Sequence, residues 1–311
     1  MSSIDTVVCV PTFRRPQWIK RCVESLGRLN IDRPIRVIVA DNDSEQQQGK
    51  AACEAIIAAG FAHPLEIVVV EQRGIAPTRN ALVRQALKDP AIQWIAMLDD
   101  DEWAEPDWLA QLLRVRQQYD ADVVGGPVFR VFEVPVPDYI AEANQPVFEN
   151  MKTGPLDLVD ATNNVLFRAD LFREMPEPWF DPQYALMGCE DKDLFLGLRL
   201  KGKRFAWASE AVIREEMPAS RSTVKWMLQR AYRIGNTDTI VNLKHRPPEF
   251  TVVSEATKMS GAMALALFNM TVMGWSAANR FKGARLAARV FGKVVALTGR
   301  RHEEYRVIHG S

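Results

Sequence analysis

Trp94-Ile-Ala-Met-Leu98-Asp99-Asp100-Asp101-Glu102 is the stretch whose reading decides the fold. Five mostly apolar residues, the length of a buried strand, run directly into three aspartates. Carboxylates set side by side repel one another unless a cation lies among them. A hard divalent ion such as Mn²⁺ or Mg²⁺ suits all-oxygen ligands and often shares them with substrate phosphates. The run also suits a plainer role, capping the helix that begins near Pro106, because acidic groups favour helix N-termini. Three in a row are more than a cap needs, so the run points to a metal and to a phosphorylated ligand.

Upstream, strand and helix signals alternate. Thr6-Val-Val-Cys-Val10 reads as a buried strand, and Pro16 can open a helix on which Trp18, Ile19, Cys22, Val23, Leu26 and Leu29 recur at helical spacing. A strand over 35–40, a helix over about 47–59, a strand over 65–70 and a helix over 77–87 lead to the strand at Trp94. This alternation implies right-handed βαβ units and a mainly parallel sheet, an α/β fold. In such sheets ligands gather beyond the carboxyl ends of the strands. Pro11-Thr12, Asp41 and the Asp99 cluster all fall at such ends.

Downstream, residues 122–127 read as a strand closed by Gly125-Gly126-Pro127. Residues 133–156 are rich in Pro, Asn and Glu without a clear period, and read as a long surface loop, a candidate lid. A helix over 190–200 turns Leu194, Phe195 and Leu198 inward, residues 204–208 form a last strand, and residues 222–233 are helical. Pro247-Pro248 marks a boundary.

Composition bounds the partners. The 39 basic and 39 acidic residues cancel, which argues against nucleic acid. The four cysteines (Cys9, Cys22, Cys53 and Cys189) are scattered without CxxC spacing and suit a reduced, cytosolic core, and no signal peptide is visible. The four histidines (63, 245, 302 and 309) have no ligand spacing and are expected in solvent.

The ordered segments resemble a family-2 glycosyltransferase of the GT-A fold, of the type that builds bacterial polysaccharides, over about residues 5–240. Val8-Cys-Val-Pro-Thr-Phe-Arg14 is similar to the family's opening strand and turn, and Val39-Ala-Asp-Asn-Asp-Ser44 to its second-strand motif. Arg73-Gly-Ile-Ala-Pro-Thr-Arg-Asn80, Leu98-Asp-Asp-Asp101 and Gly188-Cys-Glu-Asp-Lys-Asp193 resemble its Arg-Asn, Asp-x-Asp and Glu-Asp segments. The resemblance implies a catalytic domain over 1–248, with a nucleotide-sugar half to about 102 and an acceptor half beyond it. The helical tail is then 249–311.

It also implies roles. Asp41 would accept the N3–H of uracil, though Asp-Asn-Asp-Ser is equally a turn former. Pro11, Thr12 and Arg14 would line the nucleoside pocket. Arg79 would meet a diphosphate or base carbonyl, or else lie on a helix surface. Asp100 would face the ribose or base. Asp99 and Asp101, two apart on an extended segment, can point the same way toward a metal that assists the leaving diphosphate. Asp191 would be the general base, with a pKa raised beside Glu190, and Glu190 would orient the acceptor; both also suit a helix N-terminus. Many relatives carry a metal-binding histidine where Val212-Ile-Arg-Glu-Glu-Met-Pro218 stands, which puts Glu215 in that place. Gln229-Arg-Ala-Tyr-Arg233 lacks the Arg-Trp pair of processive synthases, favouring transfer of one sugar.

The tail changes character. Met259 to Asn279 is 21 residues without a charge, diluted by Ser, Asn, Thr and Gly. Arg280, Lys282, Arg285, Arg289, Lys293, Arg300 and Arg301 follow before the next acid, beside an apolar stripe of Leu286, Val290, Val294 and Leu297. This reads as a basic amphipathic helix for an anionic cytoplasmic leaflet, or as a hairpin packed on the catalytic domain or on a second copy in a homo-oligomer. The reading is therefore an inverting, metal-dependent enzyme. It moves one sugar from a nucleotide sugar, UDP-linked, to a lipid-linked saccharide or polysaccharide precursor at the inner face of the membrane. A sugar-nucleotide nucleotidyltransferase would want a Gly-rich loop where Val10-Pro-Thr-Phe-Arg14 stands. A non-catalytic sugar-nucleotide-binding protein would not need both Asp101 and Asp191.

Overall fold

The computed structural model describes residues 4–144, 151–159, 161–185 and 187–300. The first half follows the alternating pattern: β1 (Thr6–Thr12), α1 (Pro16–Leu26), β2 (Ile35–Asp41), α2 (Gln48–Ala58), β3 (Leu65–Val69), α3 (Ile75–Ala86) and β4 (Trp94–Met97). Then come β5 (Glu102–Ala104), α4 (Trp108–Tyr119), β6 (Val123–Gly125), β7 (Val128–Phe132), α5 (Asp138–Ala143), β8 (Gly154–Leu156), β9 (Val165–Arg168) and α6 (Asp170–Arg173). The chain continues with α7 (Glu190–Leu200), β10 (Phe205–Trp207), β11 (Ile213–Met217), α8 (Val224–His245), α9 (Val252–Met270) and α10 (Ala277–Leu297).

Eight strands form one sheet in the order β3-β2-β1-β4-β9-β6-β10-β8. β1, β2, β3 and β4 are parallel; β9 runs against both β4 and β6, and β8 against β10. Six strands therefore present their carboxyl ends to one edge. Alternation along the strands divides the core. Val8, Val10, Val37 and Val39 pack on one face with Ile19, Cys22 and Trp108. Val7, Cys9, Ile38 and Ala40 pack on the other with Leu82, Val83 and Phe195. All of these are fully buried, and each contributes about 1.5–3 kcal/mol if apolar and large. Pro16 sits in the first turn of α1, where its missing N–H costs nothing.

A smaller sheet, β5-β11-β7, stands over the carboxyl edge. The β5–β11 register sets Glu215 opposite Glu102, and Glu216 N–H donates to Asp101 C=O at 3.0 Å. This pairing brings residue 215 to the end of β4 across more than a hundred residues of chain.

Several expectations are corrected. The loop expected over 133–156 contains α5 and β8, and β8 closes one sheet edge; residues 145–150 lie outside the described part. The strand near 204–208 is followed by β11, and the helix expected to end at Arg233 runs on to His245. His245, expected in solvent, is 2.8 Å from the Asp193 carboxylate, and His63 is partly buried beside Phe61.

The helices after Pro248 pack together with α8. α10 packs on α8 through paired glycines: a Cβ on Gly235 would lie 2.0 Å from Arg289 O, and one on Gly292 2.0 Å from Tyr232 O. Asn236 Nδ2 donates to the Arg300 carbonyl at 3.0 Å. The expected basic face is divided. Arg289 pairs with Asp238 of α8 at 2.8 Å, Lys293 with Glu255 of α9 at 2.7 Å, and Arg285 turns toward the cleft described next. Arg301 lies outside the described residues.

Candidate active site

A cleft of about 630 Å³ opens along the carboxyl edge of the sheet, between the β4 turn, α7, the small sheet and the α8–α10 pair. Pro11, Thr12, Arg79, Asp99, Asp100, Asp101, Glu190, Asp191 and Glu215 all line it. These nine expected residues come from five elements or their ends, so the sheet's topology, not local sequence, assembles them.

The acidic turn is tightly held. Glu102 is buried; its carboxylate accepts from Asp99 N–H at 2.8 Å and from Asn163 Nδ2 at 2.9 Å. Asp100 accepts from Thr12 Oγ1 at 2.8 Å and from Arg15 at 3.0 Å. Asp101 meets Arg221 at 3.1 Å and Arg15 at 3.5 Å. Glu215 meets Arg130 at 3.0 Å. Arg79 is buried, which removes the helix-surface alternative; it bridges Asp99 at 3.0 Å and Glu190 on α7.

Burial pushes the Asp101 carboxyl up to about 7, with Glu215 and Asp100 adding to the rise and Arg221 and Arg15 opposing it. Burial likewise raises Asp100, and raises Glu190 to about 7 against the pull of Arg79. Glu190 Oε2 is buried without a hydrogen-bond partner among the described residues, and so can accept from an incoming hydroxyl. Asp191 is half-buried at the first turn of α7, where Lys192 N–H donates to its Oδ1 at 2.7 Å. Gly188 and Cys189 both take positive φ there (72° and 78°), which turns the chain into the helix with both carboxylates at its start.

Two expected residues are not brought to the cleft. Asp41 is fully buried, and its carboxylate accepts from Asp43 N–H at 3.0 Å and from Lys50 N–H of α2 at 2.8 Å. It shapes its own turn and the α2 start, while Asn42 lines the cleft in its place. Arg14, at φ 53°, pairs with Asp43 and Glu45 away from the cleft, and the next residue, Arg15, supplies the cation. The left-handed residue at 14 exchanges the directions of the two arginines, which no single-residue pattern reveals.

The residues missed from sequence are mainly cations: Arg15, Arg73, Arg130, Arg221, Arg230, Arg285 and Arg289 line the cleft. Phe13 lies under both Arg14 (5.2 Å) and Arg73 (4.8 Å), setting a flat, positively framed surface beside the β1 end.

The all-oxygen chemistry of the carboxylates and the raised pKa at Asp101 fit a hard cation, which would relieve the repulsion. Yet among the described residues no three His, Cys, Asp or Glu side chains converge as a cage. Each prospective ligand faces an arginine instead. The set fits a cation that brings its remaining ligands with it as diphosphate oxygens.

Comparison with known proteins agrees with this architecture. The family described as Glycosyl transferase family 2 matches residues 7–176. The succinoglycan biosynthesis protein ExoM of Rhizobium meliloti (strain 1021) is 30% identical over 244 residues, 75% of this chain and 73% of that protein. Among solved structures, the mannosyltransferase PcManGT from Pyrobaculum calidifontis, in complex with GDP-Man and Mn²⁺, superposes with a TM-score of 0.64 at 16% identity, covering 97% of this chain and 89% of that one. S. aureus TarS 1–349 in complex with UDP-GlcNAc gives 0.52 at 14% identity, covering 96% and 93%. At these identities the superpositions speak for the fold, which is of the GT-A kind with α8, α9 and α10 packed together at its end.

Proposed function

The chain belongs to glycosyl transferase family 2, and on that premise we propose that it moves one sugar from a UDP-sugar to a hydroxyl of a lipid-linked or polysaccharide-precursor saccharide, with inversion. The observation that carries this reading is the meeting of the Asp99–Asp101 turn, Glu215, the Arg79–Glu190 pair and Asp191 in one cleft at the carboxyl edge of the sheet. Pro11, Thr12 and Phe13 form the nucleoside end. Arg15 and Arg79 meet the diphosphate, and Asp100, held by Thr12 and Arg15, stiffens the wall between them.

A divalent cation, Mn²⁺ or Mg²⁺, when bound would be held by Asp101 with Asp99 and Glu215, and would neutralise charge on the departing diphosphate. Asp191 takes the proton of the acceptor hydroxyl as that oxygen bonds to the anomeric carbon. The bond from that carbon to the diphosphate breaks on the opposite side, so one displacement inverts the centre without a covalent intermediate. Glu190, fixed by Arg79 and carrying a free Oε2, orients the hydroxyl.

Peripheral membrane contact at the cytoplasmic face belongs to the same proposal. Among the described residues no helix is long and apolar enough to cross a membrane. Leu265, Leu267, Phe268, Val272 and Trp275, around the α9–α10 turn, are nonetheless exposed. Apolar side chains gathered like this, with Trp at the tip, suit the interfacial layer of a bilayer.

Calorimetry tests the donor reading. Wild type should bind UDP with Mn²⁺ at least tenfold more tightly than with EDTA, and Asp101→Ala should lose that gain. Unchanged affinity in the variant would remove the metal assignment.

A further inference from the structure

One wall of the cleft is made of arginines contributed by four elements: Arg130 on β7, Arg221 in the turn before α8, Arg230 and Arg233 on α8, and Arg285 and Arg289 on α10. Glu215 meets Arg130, Asp101 meets Arg221, and Asp238 meets Arg289 while also holding Lys192 at 2.5 Å. Arg230 and Arg285 make no ion pair with a described residue; each lies over an aromatic ring instead, Trp226 at 5.4 Å and Phe281 at 5.6 Å.

We propose that this arginine wall is a second anion site, built to hold a diphosphate carried by the acceptor and separate from the diphosphate of the donor. Guanidinium groups crowded in a partly desolvated wall repel one another, and a dianionic ligand accepting several bidentate hydrogen bonds resolves the crowding. Consistent with this, burial and the neighbouring Arg130, Arg233 and Arg221 lower Arg230 to about 9, and burial with Arg289 and Arg130 lowers Arg285.

Position assigns the ligand to the acceptor. Lys192 is the residue after Asp191, and through Asp238 it is joined to Arg289. The wall therefore reaches the start of α7, where a hydroxyl must approach Asp191. The inference rests on the proposed transfer reaction, which supplies Asp191 as the reference point.

Calorimetry with farnesyl diphosphate, farnesol and inorganic pyrophosphate decides it, with Mg²⁺ in excess and with or without saturating UDP. Both diphosphates should bind wild type over bound UDP, and farnesol at least tenfold more weakly than farnesyl diphosphate. Arg230→Gln with Arg285→Gln should weaken both diphosphates at least tenfold and UDP less than twofold, while Arg230→Lys should retain most of the affinity. Competition between UDP and pyrophosphate, or an equal loss of UDP affinity in the double variant, would give these arginines to the donor and overturn the proposal. Failure of wild type to bind UDP would strike the donor reading alone, because the arms without UDP still report on the wall.

Discussion

Replacing Gly292 with alanine asks whether α10 is a structural wall of the cleft or a detachable tail. The new Cβ would lie 2.0 Å from Tyr232 O and 3.0 Å from Asn236 N. The obstacle is the backbone of α8, so no rotamer change relieves it. Side-chain β-carbons essentially never approach other atoms within 3.0 Å, so the two helices must separate by about 1 Å. Overpacking of this kind costs about 1–3 kcal/mol. For a chain of this size that is a fall of roughly 2–10 °C in melting temperature. The same shift stretches the 2.8 Å Arg289–Asp238 pair beyond hydrogen-bond range and draws Arg285 out of the cleft. Thermal unfolding and steady-state kinetics should therefore move together: a lower melting temperature and a higher KM for the acceptor, with UDP affinity kept. Gly261→Ala on α9 is the control, because a Cβ there meets nothing within 4 Å and alanine favours a helix interior. A Gly292→Ala protein that melts with wild type would refute the close α8–α10 packing.

Asp191→Asn should keep UDP affinity while kcat falls at least a hundredfold, and turnover near wild type would remove Asp191 as the base. Asp101→Asn should stabilise the metal-free protein in a pH-dependent way. A carboxyl raised to about 7 in the fold, against its ordinary value near 3.8, costs stability progressively from about pH 4 to 7 and by a constant amount above. In urea unfolding with EDTA, the advantage of the variant should therefore be about 2–3 kcal/mol larger at pH 8 than at pH 5; an advantage that ignores pH would be inconsistent with a buried, raised carboxyl. Trp275→Glu should reduce co-sedimentation with anionic vesicles several-fold without a change in melting temperature, and undiminished pelleting would take the α9–α10 turn out of membrane contact.

The parallel half of the fold was legible because its strands and helices each carry a full period of buried side chains, as in β1 and α1. The strands that escaped are short, polar or antiparallel: β5 and β11 contain Glu102, Glu215 and Glu216, whose burial depends on partners far along the chain. The candidate site was legible in its carboxylates, since the acidic run and the Glu-Asp pair are contiguous in sequence. Apart from Arg79, its arginines were not, because an arginine on a strand or helix looks the same whether it meets solvent or a cleft. Arg14 and Arg15 show the limit, as one left-handed residue decides which of them faces the site. Gly235 and Gly292 show another, since neither has meaning until the helices that carry them are side by side.

The arginine facing each prospective metal ligand has a consequence for the order of events. Arg221 and Arg15 on Asp101, Arg79 on Asp99 and Arg130 on Glu215 act as resident counter-ions. A lone divalent ion would have to displace them against their own charge, gaining no new home for the guanidinium groups. A cation arriving already chelated by a nucleotide diphosphate offers Arg15 and Arg79 a phosphate oxygen in exchange. On the proposed donor reading, recognition of the metal and of the nucleotide becomes a single act of ion exchange.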